Sequence, residues 1–377
     1  MIHVANRQPH RELCEKVFTL AVEMCDPERH VRQRLHRVPV AGELIYGVAV
    51  GKAAQAMARG AGPVTRGVCV THARDDQPLP GGWHAVESSH PIPDQRSLAA
   101  GDAVCDLVAS AGPNDRVLAL ISGGASALIE RPVAGLSLEQ FVREIQAIAA
   151  TGATIQQLNA ARIERSQIKG GKLAEGCVAP ITTLVASDVI DDDPRIVGSG
   201  PTCSAHRLDD TCDVLISMRR FVVAFRDALV QLGRGAPGIR WEPLVESIEI
   251  CFALIRREYI GAPMILWGEP TLAVPADHGE GGRAQQLALE LARELRGGTR
   301  IAFVIGSDGM DGPAPRTRPA PAGAYVDGTT WDAIEAAGID PRRALERCDA
   351  GTALAAADAL VVTGPTGINH GDLVFVT

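Results

Sequence analysis

Residues 117–128, VLALISGGASAL, constrain the fold of this chain more than any other stretch. The five apolar residues from Val117 to Ile121 are typical of a buried strand, and a helical apolar pattern begins near Ala127. Between them lie only small residues, namely Ser122, Gly123, Gly124, Ala125 and Ser126. Glycines let a ligand approach the backbone closely, and free N–H groups at a helix N terminus attract anions. The stretch therefore predicts a strand, a turn and a helix, and the turn is either an anion site or an ordinary tight connection.

Length and composition limit the class of protein. The 377 residues suffice for about two domains, and 46% hydrophobic with 22% charged residues is typical of a globular protein. The net charge of −8 argues against a broad nucleic-acid surface. No apolar run reaches the roughly 18 residues of a membrane helix, and the first ten residues, MIHVANRQPH, lack the apolar core of a signal peptide. Nine scattered cysteines without a CxxC pair predict a reduced, cytoplasmic compartment.

Strand and helix patterns alternate along the first half of the chain. Strands are expected at Leu44 to Val50, from Gly67, at Trp83 to Glu87 and at Ile181 to Ala186. Strands that alternate with helices imply an α/β fold with a mostly parallel sheet. We therefore predict two domains. A larger Rossmann-like domain covers residues 1–235 and a smaller mixed α/β domain covers residues 236–377. In the second domain, Pro263 to Val274 is expected to form a β-hairpin.

Lys52 follows a predicted strand in the sequence GVAVGK and invites comparison with a P-loop. A P-loop needs four residues between its glycines and a Ser or Thr after the lysine, but here only three residues intervene and Ala53 follows. A P-loop is thereby rejected. Lys52 is either a cation for an anionic ligand at the end of a strand or a solvated surface residue.

Acidic loops follow two other strands. Asp188 ends a buried strand, and Mg²⁺ prefers one or two carboxylates together with substrate phosphates. Asp308 and Asp311 lie in GSDGMDGP after a later strand, where they are either metal ligands or turn formers. The role of metal ligand is favoured for Asp308. The loop after Asp188 contains an acidic run at residues 191–193. It ends in a second predicted anion nest, which contains Ser199, Gly200 and Thr202.

Arg283 lies in HGEGGRA, just before a predicted helix. The same residues contain a GxGxxA pattern at Gly279, Gly281 and Ala284, but four residues separate it from the preceding strand, which makes a dinucleotide fingerprint weak. Arg283 could instead grip a phosphate or carboxylate with its planar guanidinium. Ser122 and Ser126 have no histidine nearby in the sequence, which argues against a serine hydrolase.

Together these loops resemble the second class of bacterial glycerate kinases, the family with a MOFRL domain at its C terminus. The matching stretches run in family order and cover nearly the whole chain, and they are AVGKAA, SHPIPD, LISGGASAL, IKGGKLA, ASDVIDDDPRIVGSGPT, GEPT, GEGGRAQQLALELA, GSDGMDGP and TGPTGIN. The resemblance implies a cytoplasmic kinase that uses ATP and Mg²⁺ to phosphorylate the 2-hydroxyl of D-glycerate in a cleft enclosed by two α/β domains.

The resemblance also implies roles for individual residues. By the resemblance, Lys52 and Arg283 would be the catalytic cations. The chemistry of phosphoryl transfer independently assigns Mg²⁺ to Asp188 or Asp308 and the hydroxyl proton to one of them, with Asp188 as the catalytic carboxylate. The nucleotide- and substrate-binding groups would be Ser122, Gly123, Gly124, Ser126, Ser199, Gly200, Thr202 and Asn369. The expected partner is a small-molecule substrate, without nucleic acid or membrane, and a homodimer is left open.

Four positions depart from the family pattern. Ala284 and Gln286 replace an Asn and a Glu, Glu164 stands where His is usual, Gly371 replaces a second Asn, and a proline-rich insertion occupies residues 313–321. Three hypotheses follow: a glycerate 2-kinase, a kinase of this family that acts on another hydroxy acid or sugar acid, and a non-catalytic binding protein that kept the cleft. A nucleotide-linked oxidoreductase that uses GxGxxA is a distant fourth.

Overall fold

The computed structural model describes residues 7–204, 207, 209–258, 262–315 and 318–377. Residues 1–6, part of the stretch predicted to lack a signal peptide, and residues 316 and 317 of the proline-rich insertion lie outside these ranges. The chain divides into two compact units. One is Asp26–Ser217, and the other combines Met1–Cys25 with Met218–Thr377. In the ranges described, no helix combines the length and the apolar character that a membrane crossing requires.

The elements are numbered here in chain order. The strands are β1 (Ile45–Val50), β2 (Arg66–Thr71), β3 (Trp83–Glu87), β4 (Arg116–Ser122), β5 (Ile181–Ala186), β6 (Thr211–Ile216), β7 (Gly238–Ile239), β8 (Met264–Gly268), β9 (Ile301–Gly306), β10 (Gly323–Asp327), β11 (Leu360–Val361) and β12 (Asp372–Val376). The helices are α1 (Arg7–Met24), α2 (Pro27–Arg37), α3 (Ala54–Ala61), α4 (Gln95–Ala109), α5 (Ala125–Leu128), α6 (Leu138–Ala150), α7 (Ile155–Arg165), α8 (Lys172–Glu175), α9 (Met218–Gln231), α10 (Ile248–Glu258), α11 (Arg283–Leu295), α12 (Thr330–Ala336), α13 (Pro341–Glu346) and α14 (Ala350–Ala356).

The unit Asp26–Ser217 contains a six-stranded, fully parallel sheet with the order β3-β2-β1-β4-β5-β6. This is the strand order of a doubly wound α/β fold, so the predicted Rossmann-like sheet is confirmed. Alternate residues of β1 and β4 face the helical layer. Val48, Val50, Ala119 and Ile121 join one buried cluster with Ala100, Val104 and Leu107 of α4. The helices begin where their sequences cap them, because Asp94, Ser137 and Thr154 each form a capping box.

The second unit contains a mixed sheet with the order β11-β10-β9-β12-β8-β7, in which only β7 and β8 pair in parallel among the described strands. The predicted mixed α/β fold is thus confirmed, but the hairpin predicted for residues 263–274 is wrong. Strand β8 ends at Gly268 and pairs with β7 and β12, and the chain beyond it makes only a single bridge from Thr271 to Ser247. Pro270 lacks an amide hydrogen for a ladder, and Gly268 has a φ of +155°.

The compact units differ from the predicted division at residues 235 and 236. Helix α1 packs with the second unit, because the ring of Phe18 meets that of Phe221 at 5.8 Å and that of Phe303 at 6.4 Å, both edge to face. The guanidinium of Arg11 also donates hydrogen bonds to the carbonyls of Asp358 and Leu360 at 2.6 Å. An aromatic cluster that joins distant segments therefore sets the boundary just before α9.

Candidate functional site

The turn after β1 and the turn after β4 meet at the point where the strand order reverses. The amide of Lys52 donates to the carbonyl of Gly123 at 2.9 Å, and the amide of Ala53 donates to the hydroxyl of Ser122 at 3.1 Å. Gly51 has a φ of +129°, and a Cβ there would lie 2.1 Å from the oxygen of Ser122, so only glycine fits. In open parallel sheets, ligands bind at the carboxyl ends of the strands at this reversal. The organising stretch therefore lies where the fold offers a binding site.

A cavity of about 390 Å³ lies at this edge of the parallel sheet and is lined entirely by residues of the unit Asp26–Ser217. Its polar wall includes Gly124, Ser126, Asp188 and Ser199, four residues predicted to be functional. Helix α6 contributes the apolar side chains of Phe141, Val142 and Ile145 to the lining. The lining of this cavity thus combines polar and apolar groups.

A chain of hydrogen bonds fixes the polar wall. The hydroxyls of Ser126 and Ser199 lie 3.0 Å apart, and Ser199 donates to Oδ1 of Asn159 at 3.3 Å. Arg162 donates to the same oxygen at 3.2 Å and also lines the cavity. Ser199 has a φ of +62°, which is uncommon outside glycine and is a mark of functional turns. These bonds hold two hydroxyls and one guanidinium at fixed positions around the cavity.

Lys52 and His90 both lie beside Gly124. A Cβ at Gly124 would be 3.4 Å from Cγ of Lys52 and 3.3 Å from Nε2 of His90. Burial lowers the pKa of His90 below its usual value, and the positive charges of Lys52 and His72 lower it further. The shift favours the neutral imidazole, and the exposed Lys52 supplies the positive charge next to the turn.

Asp188 lies directly against Gly123. A Cβ at Gly123 would lie 2.1 Å from Oδ2 of Asp188, so this carboxylate depends on glycine for its position. Asp188 is half-buried and lines the cavity, as expected for a side chain at the end of β5. The turn after β4 and the carboxylate after β5 thus form one surface.

Three other predicted residues build turns with their polar groups. Ser122 is buried and accepts the amide of Ala53, and the carbonyl of Gly200 accepts the amide of Gly171 at 2.8 Å. Thr202 is buried, and its hydroxyl bonds that of Thr183 at 2.9 Å. These groups hold the walls in place, and their contact with a ligand stays a prediction.

A second cavity, of about 270 Å³, is lined by residues of the other unit. It brings together Arg283, Asp308 and Asn369, which the sequence predicted, with Asp311 and Asp372. Nε of Arg283 lies 3.2 Å from Oδ2 of Asp372, and its terminal nitrogen lies 3.5 Å from Oε1 of Glu269. Arg283 is the first residue of α11, so its guanidinium stands at a helix start beside carboxylates.

Asp311 holds the N terminus of α11. Its carboxylate accepts the amides of Ala284 at 3.1 Å and Gln285 at 2.8 Å, and the side-chain amide of Gln285 at 3.0 Å. Asp311 was considered as a turn former or as a metal ligand. These bonds favour a structural role, because the carboxylate accepts amide hydrogens. Asp308 is more exposed, and its carboxylate accepts the amide of Met310 at 3.0 Å.

Asp372, the first residue of β12, is a buried carboxylate next to Arg283. Burial raises its pKa from 3.8 to about 7; the charge of Arg283 lowers it, and those of Asp311, Glu269 and Asp308 raise it. The folded protein therefore binds this proton more tightly than the unfolded chain does. The resulting stability is complete below pH 4 and is lost as the pH rises toward 7.

We expect the free energy of unfolding to fall between about pH 4 and pH 7 in the natural protein, relative to Asp372→Asn, which cannot titrate. Urea unfolding at several pH values across this interval measures both proteins. A constant difference between the two at every pH would contradict the raised pKa.

Two of the four departures from the family pattern face away from the second cavity. Ala284 is buried in the apolar core of its unit, and Nε2 of the buried Gln286 donates to the carbonyl of Leu345 at 2.8 Å. An Asn and a Glu at these two positions would therefore face the protein interior and not the second cavity. Gly371 does line the cavity, with a φ of +106°, and Glu164 is exposed and paired with Arg165.

The double variant Ala284→Asn, Gln286→Glu is expected to lose about 1–3 kcal/mol of unfolding free energy. The amide would enter an apolar cluster, and the carboxylate would face the carbonyl of Leu345 without a hydrogen to donate. Chemical denaturation measures the loss, with Gln231→Glu on the exposed end of α9 as the control. Unchanged stability of the double variant would show that these side chains reach solvent.

The positions of the carboxylates show whether they could hold a divalent cation. Across the described ranges, no group of three or more His, Cys, Asp or Glu side chains has the geometry of a metal site. Mg²⁺ requires less, because one or two carboxylates together with substrate phosphates complete its coordination. Asp188 and Asp308 each place a half-buried carboxylate on a cavity wall, which fits such a partial site.

Sequence reasoning missed His90, Asn159, Arg162 and Asp372 as site residues. Asn159 and Arg162 are three residues apart on α7, so helical spacing places them on one face. His90 follows β3 and thus lies at the same sheet edge as Lys52. Asp372 opens an apolar strand, and nothing in its neighbours signals a buried carboxylate.

Comparison with known proteins identifies relatives of this chain. Residues 13–227 match a domain of unknown function, DUF4147, and residues 262–372 match the MOFRL family. D-glycerate 2-kinase from Thermotoga maritima is 30% identical over 97% of this chain and 97% of its own. A putative hydroxypyruvate reductase from Agrobacterium vitis is 34% identical over 86% of this chain and 97% of its own. A crystal structure of glycerate kinase from Thermotoga maritima aligns with a TM-score of 0.89 at 28% identity and covers 98% of this chain and 99% of that one.

Proposed function

Because this chain belongs to the family of D-glycerate 2-kinases that join a DUF4147 domain to a MOFRL domain, we propose that it transfers a phosphoryl group from ATP to the 2-hydroxyl of D-glycerate. The products are 2-phosphoglycerate and ADP. The observation that carries this proposal is the contact of the Lys52 turn with Gly123 where the strand order reverses. Phosphoryl transfer depends on positioning and on cations near the transferring group, with little covalent chemistry from the protein.

The first cavity offers groups for an acidic, hydroxylated substrate. In this proposal, Lys52 stabilises the charge that develops on the transferring phosphoryl group beside the Gly123–Gly124 turn. Arg162, Ser126 and Ser199 bind the carboxylate and hydroxyls of the acid, since their hydrogen-bond network already fixes them on one wall. Asp188 accepts the proton of the reacting hydroxyl, supported by its place on the same cavity wall.

The second cavity offers a cation and carboxylates for the nucleotide phosphates. Arg283 binds phosphate oxygens through its planar guanidinium, while Asp372 and Glu269 orient it. Asn369 adds an amide on the same wall. When Mg²⁺ is bound with the nucleotide, it neutralises phosphate charge, and Asp308 or Asp188 is the carboxylate that would hold it.

Replacing Gly123 by alanine is expected to lower kcat/KM by on the order of tenfold, because the added methyl group would displace the carboxylate of Asp188. The measurement is steady-state kinetics of the folded variant. Gly112→Ala is the matched control, since a Cβ there lies 3.4 Å from its nearest neighbour, a side-chain oxygen of Asp115. If the natural protein and Gly123→Ala had equal kcat/KM, the reaction would not depend on the position of the Asp188 carboxylate.

The reductase named among the relatives is a second candidate that the geometry disfavours. A dinucleotide fingerprint opens the helix of a βαβ unit directly after a parallel strand. Here Gly279 and Gly281 precede α11 in the unit with the mixed sheet, and no strand lies between Gly268 and α11 in that described stretch. Gly281 donates its amide to Pro313, and Ala284 is buried in the core. The residues of this GxGxxA pattern thus make packing contacts within the protein and do not form a dinucleotide-binding turn.

A substrate panel tests the proposed reaction. The chain is incubated with ATP and Mg²⁺ and with D-glycerate, L-glycerate, hydroxypyruvate or a sugar acid, and ADP release is measured for each. We expect D-glycerate to give the highest kcat/KM. ADP release only with another acid would show that a different acid of this family is the substrate. A parallel incubation holds hydroxypyruvate and a reduced nicotinamide cofactor in place of ATP, and oxidation of that cofactor without any ADP release in the panel would replace the kinase by the reductase.

We further propose that the protein works in the cytoplasm. All nine cysteines are free, which supports a reducing compartment. A homodimer stays a prediction.

A further inference from the structure

Two free thiols lie in contact at the edge of the parallel sheet. The sulfur atoms of Cys203 and Cys212 are 3.3 Å apart. Cys203 directly follows the turn Gly198–Thr202, and Cys212 lies on β6, the outermost strand. A disulfide requires a sulfur separation of about 2.05 Å, so a shift of little more than 1 Å would bring the two atoms to bonding distance.

Independent contacts place the two cysteines together. Cys212 is the register partner of Thr183 on the neighbouring strand β5. The hydroxyl of Thr183 bonds that of Thr202 at 2.9 Å, and both threonines are buried. The turn that ends at Cys203 is therefore fixed above the strand pair that carries Cys212, and the contact does not depend on the two sulfur atoms alone.

The same two thiols are the accessible ones. Cys212 is exposed and Cys203 is half-buried, whereas six of the other seven cysteines are buried and only Cys105 is half-buried. The pKa of Cys203 is lowered from its usual value, chiefly because the thiol of Cys212 donates a hydrogen bond to it. A hydrogen bond between the two thiols favours a thiolate in the pair, which is the form that attacks a disulfide.

We propose that Cys203 and Cys212 are a reversible disulfide site that ties the turn Gly198–Thr202 to strand β6 in the presence of a low-molecular-weight disulfide such as glutathione disulfide. The thiolate of Cys203 attacks one sulfur of glutathione disulfide and releases one glutathione thiolate. The thiolate of Cys212 then attacks the sulfur of Cys203 and releases the second. Two protein thiols are oxidised, one glutathione disulfide is reduced to two glutathione molecules, and the protons pass to the released thiolates.

The consequence lies in the wall of the first cavity. Ser199 lies in the tied turn, where its hydroxyl contacts Ser126 and Asn159. A covalent bond after Thr202 restricts the excursions of this turn, whereas the reduced turn is held by hydrogen bonds alone. Formation of the disulfide does not rest on the reaction proposed above, because neither thiol lines the cavity.

The test treats the full-length folded protein with glutathione disulfide and follows it by intact mass and peptide mapping. We expect the mass to fall by two hydrogen atoms, a link between the peptides of Cys203 and Cys212, and reversal by dithiothreitol. Cys105→Ser should behave the same, and Cys212→Ser should not form the link. Stable glutathione adducts on both cysteines of the natural protein, or a link that involves Cys105, would overturn the proposal.

Hydrogen–deuterium exchange tests the restraint on the turn. Amides of the peptide that contains Gly198–Thr202 should exchange more slowly in the oxidised than in the reduced natural protein. Cys212→Ser should show no such difference after the same treatment. Equal exchange of the two forms of the natural protein would contradict the tie even if the disulfide forms.

Discussion

Replacing Lys52 by alanine is expected to lower kcat for D-glycerate phosphorylation by on the order of 10²-fold or more, with the fold intact. Its ammonium group is exposed beside the Gly123–Gly124 turn, where removal leaves no structural hole. A charge that acts on the transferring phosphoryl group stabilises the transition state more than bound ATP. The loss should therefore appear in kcat, with little change in the KM of ATP.

The control for this prediction is Lys16→Ala, which removes an exposed lysine from α1. Circular dichroism and thermal unfolding verify that both variants fold. The Lys16 variant should keep its kcat. A folded Lys52→Ala variant with natural turnover would exclude Lys52 from the mechanism.

Arg283→Ala is expected to lower kcat/KM by about 10²- to 10³-fold, because a fixed guanidinium next to phosphate oxygens is lost. The alanine variant also leaves the buried Asp372 without its cation, so a second variant is needed. Arg283→Lys keeps the charge but loses the planar pair of donors. We expect it to recover part of the lost activity and most of the lost stability.

Steady-state kinetics and chemical denaturation of both variants separate binding from folding. Arg296→Ala is the control, because it removes an arginine that pairs with the exposed Asp332 and Glu335. If Arg283→Lys matched the natural protein in kcat/KM, the proposal that the planar guanidinium binds phosphate oxygens through two donors would be wrong. If Arg283→Ala retained natural activity, the second cavity would have no part in the reaction.

The parallel sheet and its turns were readable from the sequence, since β5 is bounded as predicted and β4 begins one residue early. A run of apolar residues that ends in glycine indicates both the buried strand and the turn that follows it. Strand order is not readable in this way, because it depends on contacts between distant segments. The meeting of Lys52 with Gly123 is therefore a property of the fold, and the sequence indicated only that each follows a strand.

The second unit was harder to predict for physical reasons. Strand β10, GAYVD, is fully buried but short, and it follows a proline-rich loop that hides its start. The side chain of Asp372 breaks an apolar strand pattern, and only Arg283, 89 positions earlier, explains it. The core position of Ala284 was not predicted, although the pattern of the sequence indicates it. It shares a helical stripe with Leu287, Ala288 and Leu291, all buried.

The assignment of site residues was limited in the same way. Side chains such as Ser122 and Thr202 have the right chemistry for a ligand, yet their polar groups bond within the turns. The sequence cannot distinguish a hydroxyl that points into a cavity from one that closes a turn, since both follow a strand. Asp188 and Ser126 differ from them only in the direction that the backbone gives them.

The position of the new phosphate group tests the central claim most directly. The natural protein is incubated with ATP, Mg²⁺ and D-glycerate, and the product is identified by phosphorus NMR against authentic 2- and 3-phosphoglycerate. We predict 2-phosphoglycerate in an amount equal to the ADP formed. Formation of 3-phosphoglycerate, or no phosphorylated acid from a folded protein, would contradict the account.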